Sequence, residues 1–406
     1  MKLDKLTVKQ IAEIDACTRC GNCLDLCSAY LGSSDVKISP KKKMEKLKKA
    51  INIEYGFLSK LLNKKLSKED IEALSKSAYS CTMCSRCEVD CHINIKLQDI
   101  WLKLREALVD EGQYPEILDM MRKRLNDAKN VSFDSNQGRA DWIKAVSEKP
   151  VESYIKDKAQ VIYFAGCVSS FSPRAFKIPR SVLKILEAAE IDFGLLGDDE
   201  WCCGFPLLTS GFKDDFYQFA KHNIERVNKT GASYLITSCP SCYHMWKHVY
   251  KEASDKSGMG FEILHTVQYL NKLAKEGKIK LNPVEGRITY HDPCDLGRNS
   301  GIYSEPRELI KAIPKAVFVE LENNSSYATC CGGGGNVEST DNELSANIAQ
   351  IKAREIISTG ADIAVTACQQ CVRTIAQALK KEKSKIKVMD IAELVLESIS
   401  QDLNLN

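Results

Sequence analysis

Eighteen cysteines dominate the chemistry open to this chain of 406 residues, and their spacing narrows what that chemistry can be. The first eight form two quartets of one pattern: Cys17, Cys20, Cys23 and Cys27, then Cys81, Cys84, Cys87 and Cys91. A loop with this spacing presents three thiolates to three corners of an iron–sulfide cube, and in a doubled motif the fourth, at a helix start, reaches the other cube. On that logic Cys17, Cys20, Cys23 and Cys91 hold one cubane 4Fe-4S cluster, and Cys81, Cys84, Cys87 and Cys27 hold the other. Structural zinc favours a two-plus-two tetrahedral set, which this spacing fits poorly. Such clusters move single electrons and transform no substrate.

The other ten cysteines make two sets of five: Cys167, Cys202, Cys203, Cys239, Cys242, and Cys294, Cys330, Cys331, Cys368, Cys371. Five thiolates exceed the four a cubane takes, and adjacent pairs cannot both face one cubane without strain, which points to a different centre. Glycine follows each pair, Gly204 in one copy and Gly332 and Gly333 in the other, allowing positive φ and close approach of the backbone to a bulky inorganic group. In CPSC and CQQC the second cysteine falls near an expected helix N-terminus, where the dipole and free N–H groups favour thiolate. His291, just before Cys294, and His244, just after Cys242, are candidate proton donors beside these centres.

The elements that must position these residues follow from pattern. Between the quartets, residues 41–78 repeat apolar positions at three and four, as helices do. The front is thus a mostly helical domain over 1–115, followed by a connecting segment at 116–158. Behind it, VIYFAGC, SYLITSC, RITYHDPC and DIAVTAC each place a strand-like run before a cysteine, and amphipathic runs end at Gly231 and Gly360 as helices with glycine caps would. Helix then strand, repeated, predicts parallel sheets. The expected fold class is α+β and multidomain, with two α/β modules at 159–285 and 286–406 related by a pseudo-twofold.

Bulk composition excludes several classes. Apolar residues are 44% and charged residues 27% of the chain, ordinary for a globular protein. A net charge of +3 gives no reason to expect nucleic acid. The start of the chain is charged and amphipathic, and no apolar run is long enough to span a bilayer, so the expected location is the cytoplasm, with membrane contact only through a partner. In that reducing compartment clustered cysteines are metal ligands rather than disulfides. The lysine run at 41–49 reads as a solvated helix face. No dinucleotide-binding fingerprint follows a strand, so electrons must enter from another subunit.

Residues 10–100 resemble bacterial two-cluster ferredoxins, except that the proline usually following the fourth cysteine is Ser28 in one copy and His92 in the other. The Cys…CysCysGly…CysxxCys pattern at the back resembles the cysteine-rich CCG module. Two such modules behind a two-cluster ferredoxin resemble the D-type subunits of heterodisulfide reductase. That resemblance implies two noncubane 4Fe-4S clusters, one on each set of five cysteines, with a small-molecule disulfide substrate between them. The implied activity is reduction of a mixed disulfide of coenzyme M and coenzyme B type to two thiols. The implied electron-donating partner is a membrane b-type cytochrome or a flavoprotein subunit. Arg174, Lys177, Arg180, Arg298 and Arg373 are candidate cations for anionic thiol cofactors. Relatives with a degraded cysteine set serve glycolate or lactate oxidases as electron relays, and a sulfate-reducer relative would act on a protein-borne sulfur substrate. These are the alternatives.

Overall fold

A computed structural model describes residues 1–132, 134–254 and 258–399. Residue 133 of the connecting segment, 255–257 of the first module and 400–406 of the second lie outside the described residues. The chain forms two compact units that do not follow chain order: Met1–Arg122, Pro206–Asp214 and Thr329–Lys352 make the first, and the remainder makes the second.

Helices build the first unit. Pro40–Tyr55 starts at the Ser39 hydroxyl, which accepts the Lys42 N–H, with proline in its first turn; it buries Met44, Leu47, Ala50 and Ile51. Lys68–Tyr79 is capped by Ser67, and Leu97–Asp110 buries Ile100, Trp101, Leu104 and Leu108. The lysine run is not wholly solvated. Lys43 is 1% exposed, because its position on the inward face of its helix sets the ammonium 4.6 Å from the centre of the Trp101 ring.

The second unit holds two four-stranded parallel sheets of one topology. Strands β1 (Val161–Phe164), β2 (Phe193–Gly194), β3 (Tyr234–Thr237) and β4 (Glu262–His265) lie in the order β2-β1-β3-β4. Strands β5 (Gly286–His291), β6 (Ala316–Val319), β7 (Ile363–Thr366) and β8 (Lys387–Asp390) lie in the order β6-β5-β7-β8. All four residues of β1 and of β7 are buried, as central parallel strands covered on both faces should be. The amphipathic helices Lys213–Lys229 and Asn342–Ser358 end before Gly231 and Gly360, each at φ 64°. The edge strands β2 and β6 are short or half-exposed and carry no cysteine, so the sequence pattern does not mark them.

Because every strand in a sheet runs the same way, the cysteines that follow β1, β3, β5 and β7 all emerge at carboxyl ends, where open α/β sheets place their ligand crevices. The repeat in the sequence is a repeat of this edge.

Candidate metal centres

In the first unit, Cys27, Cys81, Cys84 and Cys87 line one cavity together with Lys43, Met83, Gln98 and Trp101. Cys27 caps the helix Ser28–Ser33, its sulfur accepting the Tyr30 N–H at 3.5 Å. Burial pushes its thiol up to about 11, against the Lys43 charge, which favours thiolate. Burial and the neighbouring Cys81 and Cys84 also push Cys87 up. Four thiols in an apolar pocket are costly to ionise unless something cationic binds them, which is the donor chemistry an iron–sulfur cluster meets.

Cys17 and Cys20 sit on a loop and Cys23 in the short helix Asn22–Asp25 that follows it. Burial, followed by the neighbouring Cys17 and Cys20, raises Cys23 to about 11, whereas the Asn22 N–H lowers the exposed Cys20. Cys91 does not begin a helix. The chain turns there, Asn94 N–H bonding to the Cys91 carbonyl with Asn94 at φ 53°, and the next helix starts at Leu97. A hydrogen bond of 2.8 Å between Asn22 and His92 ties the Cys91 turn to the Cys23 loop.

Both departures from the ferredoxin pattern thus have structural work. His92 makes that tie, and the Ser28 hydroxyl accepts the N–H of Cys330 at 3.3 Å. The Cys330 thiol also meets Cys84 and Thr82, and its bond with the Cys331 thiol pushes it up to about 12. One CysCys pair therefore lies against the second front loop.

A single side chain organises that contact. Arg105, fully buried, donates to the carbonyls of Ala78 at the end of the helix Lys68–Tyr79, of Cys81 in the second front loop, of Thr209 from segment 206–214, and of Gly335 from the glycine run. Gly335, at φ 61°, packs so closely on that loop that a Cβ would stand 2.3 Å from the Cys81 carbonyl oxygen. A Cβ on Gly332, at φ 89°, would stand 2.4 Å from the Ser345 carbonyl oxygen. Gly333 lies between them, half-buried. Gly204, at φ 78°, turns towards the Phe216 ring. At Gly204, Gly332 and Gly335 the closest approach is to protein atoms.

In the second unit the five cysteines of the first module form a continuous run of thiol contacts: Cys167 with Cys202, Cys202 with Cys203, Cys203 with Cys242, and Cys242 with Cys239. Cys239 is the N-cap of its helix, its sulfur accepting the Cys242 N–H at 3.5 Å, and Cys368 does the same for Cys371 at 3.4 Å. The first cysteine of each pair, not only the second, thus occupies the helix start. Bonds from Cys202 and Cys242 pull Cys203 down, while Cys242 is pushed up by the same bond to Cys203 and by Cys239. Soft donors packed this densely, with a Cβ on Gly166 reaching 3.2 Å from the Cys242 sulfur, suit an iron–sulfur centre. Of the second set, Cys294, Cys368 and Cys371 stand in this unit, and Cys330 and Cys331 in the other.

His291 is buried at the end of β5, within 4.8 Å of the Cys371 sulfur. His244 is half-buried beside His248, ring centres 5.2 Å apart. Arg298 binds the Ser326 and Ala328 carbonyls, Arg180 the Trp142 carbonyl and Arg373 the Gln370 side chain; Lys177 and Arg180 line an open groove with Lys184 and Lys387.

Nothing in the sequence pattern singles out Arg105, Arg139 or Glu200, since a lone buried ion has no periodicity. The same holds for His265 and Asp390, the matched last residues of β4 and β8. Each is fully buried; burial pushes His265 down to about 3 and raises the Asp390 carboxyl well above its usual range.

Comparison with known proteins places this arrangement. The family "4Fe-4S dicluster domain" matches residues 13–95, and the family "Cysteine-rich domain" matches 161–247 and 288–376. The D subunit of the dihydromethanophenazine:CoB–CoM heterodisulfide reductase of Methanosarcina barkeri is 32% identical over 97% of this chain and 96% of its own length. The chain belongs to the family of heterodisulfide reductase D subunits. Within that family setting it is an iron–sulfur oxidoreductase component. More distant is the EtfAB:quinone oxidoreductase of Syntrophomonas wolfei, 25% identical over 95% of this chain and 58% of its own. The uncharacterized iron–sulfur protein MJ0092 of Methanocaldococcus jannaschii is 30% identical over 96% of this chain and 73% of its own. Among the described residues, no helix of this D-type chain is long and apolar enough to cross a membrane.

Proposed function

We propose that this chain is the catalytic subunit of a heterodisulfide reductase, reducing a mixed disulfide of two thiol cofactors, of the coenzyme M and coenzyme B type, to the two free thiols. The observation that carries the reading is the contiguous run of five thiols in the first module, four of them buried, with five cysteines in the same pattern along the second. A chain that only relayed electrons would need four thiolates per centre.

In this reading Cys27, Cys81, Cys84 and Cys87 hold one cubane cluster and Cys17, Cys20, Cys23 and Cys91 the other. Each rear set of five holds a noncubane cluster. Bound clusters supply single electrons and soft iron sites for sulfur, while opening a disulfide takes two electrons and two protons. The protein's own residues do the rest. Arg105 fixes the backbone carrying Cys81 and the glycine run, and in this reading His291, buried within 4.8 Å of the Cys371 sulfur, is the proton donor. Electrons enter from a partner subunit, either a membrane b-type cytochrome or a flavoprotein. A cytoplasmic location, or attachment to a membrane face through that partner, is part of the same proposal.

A second reading is an iron–sulfur electron-transfer subunit, as of a glycolate or lactate oxidase; the similarity to an EtfAB:quinone oxidoreductase favours electron transfer without naming an oxidase. Composition separates the two. Protein purified without oxygen should contain about 16 iron and 16 sulfide if four clusters bind. Cys203→Ser should abolish disulfide reduction while leaving the cubane spectra intact; unchanged turnover would overturn the catalytic reading.

A further inference from the structure

The connecting segment ahead of the first module, outside both stretches matched as cysteine-rich domain, carries a buried cation bonded to the sulfur of a module cysteine. Arg139 is 2% exposed, and its Nη2 donates to the Cys167 Sγ at 3.6 Å. The guanidinium is held on every side: Nη1 to the Glu200 carboxylate at 2.8 Å, Nε to the Asn136 side chain at 3.0 Å, and Nη2 also to the Lys129 carbonyl at 3.4 Å. Its Cζ lies over Phe171, 5.3 Å from the ring centre.

Glu200, itself 2% exposed, completes the device. Besides pairing with Arg139, its two oxygens accept the N–H groups of Ala165 and Gly166, the residues leading into Cys167. One buried ion pair therefore fixes both the backbone and the sulfur of the same cysteine. A buried pair costs desolvation and is a poor way to gain stability, so its placement against a ligand sulfur calls for another account.

We propose that Arg139 is a positioning residue that sets the redox potential of the cluster on the first five-cysteine set, by donating a charge-assisted hydrogen bond to Cys167, with Glu200 moderating its charge. The proposal rests on the cluster reading above. The physical basis is general: reduction adds negative charge to a cluster and its thiolates, and a buried donor cation stabilises the reduced form and raises the potential. The carboxylate of Glu200 acts in the opposite sense.

The test is a potentiometric titration followed by electron paramagnetic resonance on the anaerobically purified full chain, in a Cys331→Ser background so that only the first five-cysteine set is intact. Arg139→Met should lower the midpoint potential, by about 59 mV for each tenfold shift in the one-electron equilibrium. Arg139→Lys should fall between it and the parent. Glu200→Gln keeps one of the two acceptor oxygens, removes the negative charge and should raise the potential. Shifts of opposite sign cannot come from mere loosening. An unmoved potential in Arg139→Met, or a shift of the same sign in both variants, overturns the assignment; should Arg139→Met fail to fold, Glu200→Gln alone decides by the sign of its shift. A parent protein with no signal beyond the cubanes would overturn the cluster reading and this assignment with it.

Discussion

At the scale of single residues, burial decides protonation. His265 caps the helix Thr266–Lys275 through Nδ1, which accepts the Val267 N–H at 3.2 Å, and burial holds its pKa down at about 3. The unfolded chain binds a proton at His265 below about pH 6.5 and the native chain does not, so stability is full above that value and falls as pH drops towards 3. The loss should approach 1.4 kcal/mol per pH unit. Denaturant midpoints of the anaerobic protein at pH 7 and pH 5 should diverge for wild type and less so for His265→Asn, which keeps a capping side chain. An equal slope in both would count against the neutral buried imidazole. The cysteines are legible in the sequence because their spacing is itself the signal. His265, Arg105 and Arg139 are not, because a buried polar residue is defined by what folds around it.

At the scale of elements, the glycine run and Arg105 form a joint inside the first unit. Gly335→Ala would force a Cβ into the Cys81 carbonyl at positive φ, at a cost of about 2 to 4 kcal/mol. Arg105→Met would leave four carbonyls, three of them in buried bonds, without this donor and should destabilise by at least about 3 kcal/mol. Thermal denaturation of the anaerobic protein reads both, and a drop in melting temperature under a degree or two in either variant would contradict the joint. The strands before each cysteine and the glycine-stopped helices can be read from periodicity, because the parallel sheet imposes it. The edge strands β2 and β6 cannot, and neither can the partners of Ser28 and His92, since a missing proline does not say what bonds to its replacement.

At the scale of the whole molecule, chain order and compact order part company. Segments 206–214 and 329–352, each just behind a CysCys pair or containing one, belong to the same unit as the front quartets. A sequence repeat shows which modules are duplicates and is silent on which loops leave their module, and that is why the contact of Cys330 with Ser28 and Cys84 is visible only in three dimensions. Removing metal should therefore disturb more than the front: chelation of iron should release restraint on the Thr329–Lys352 segment, detectable as faster amide hydrogen exchange there, whereas unchanged protection would argue that protein contacts alone hold it.

The central claim is tested most directly by turnover. Purified, iron-loaded protein is given reduced methyl viologen and the mixed disulfide of coenzyme M and coenzyme B without oxygen, and viologen oxidation and free thiols are counted together. The account predicts that each disulfide consumed oxidises two viologens and yields one equivalent of each thiol; viologen-reducible clusters with no thiol formed would contradict it.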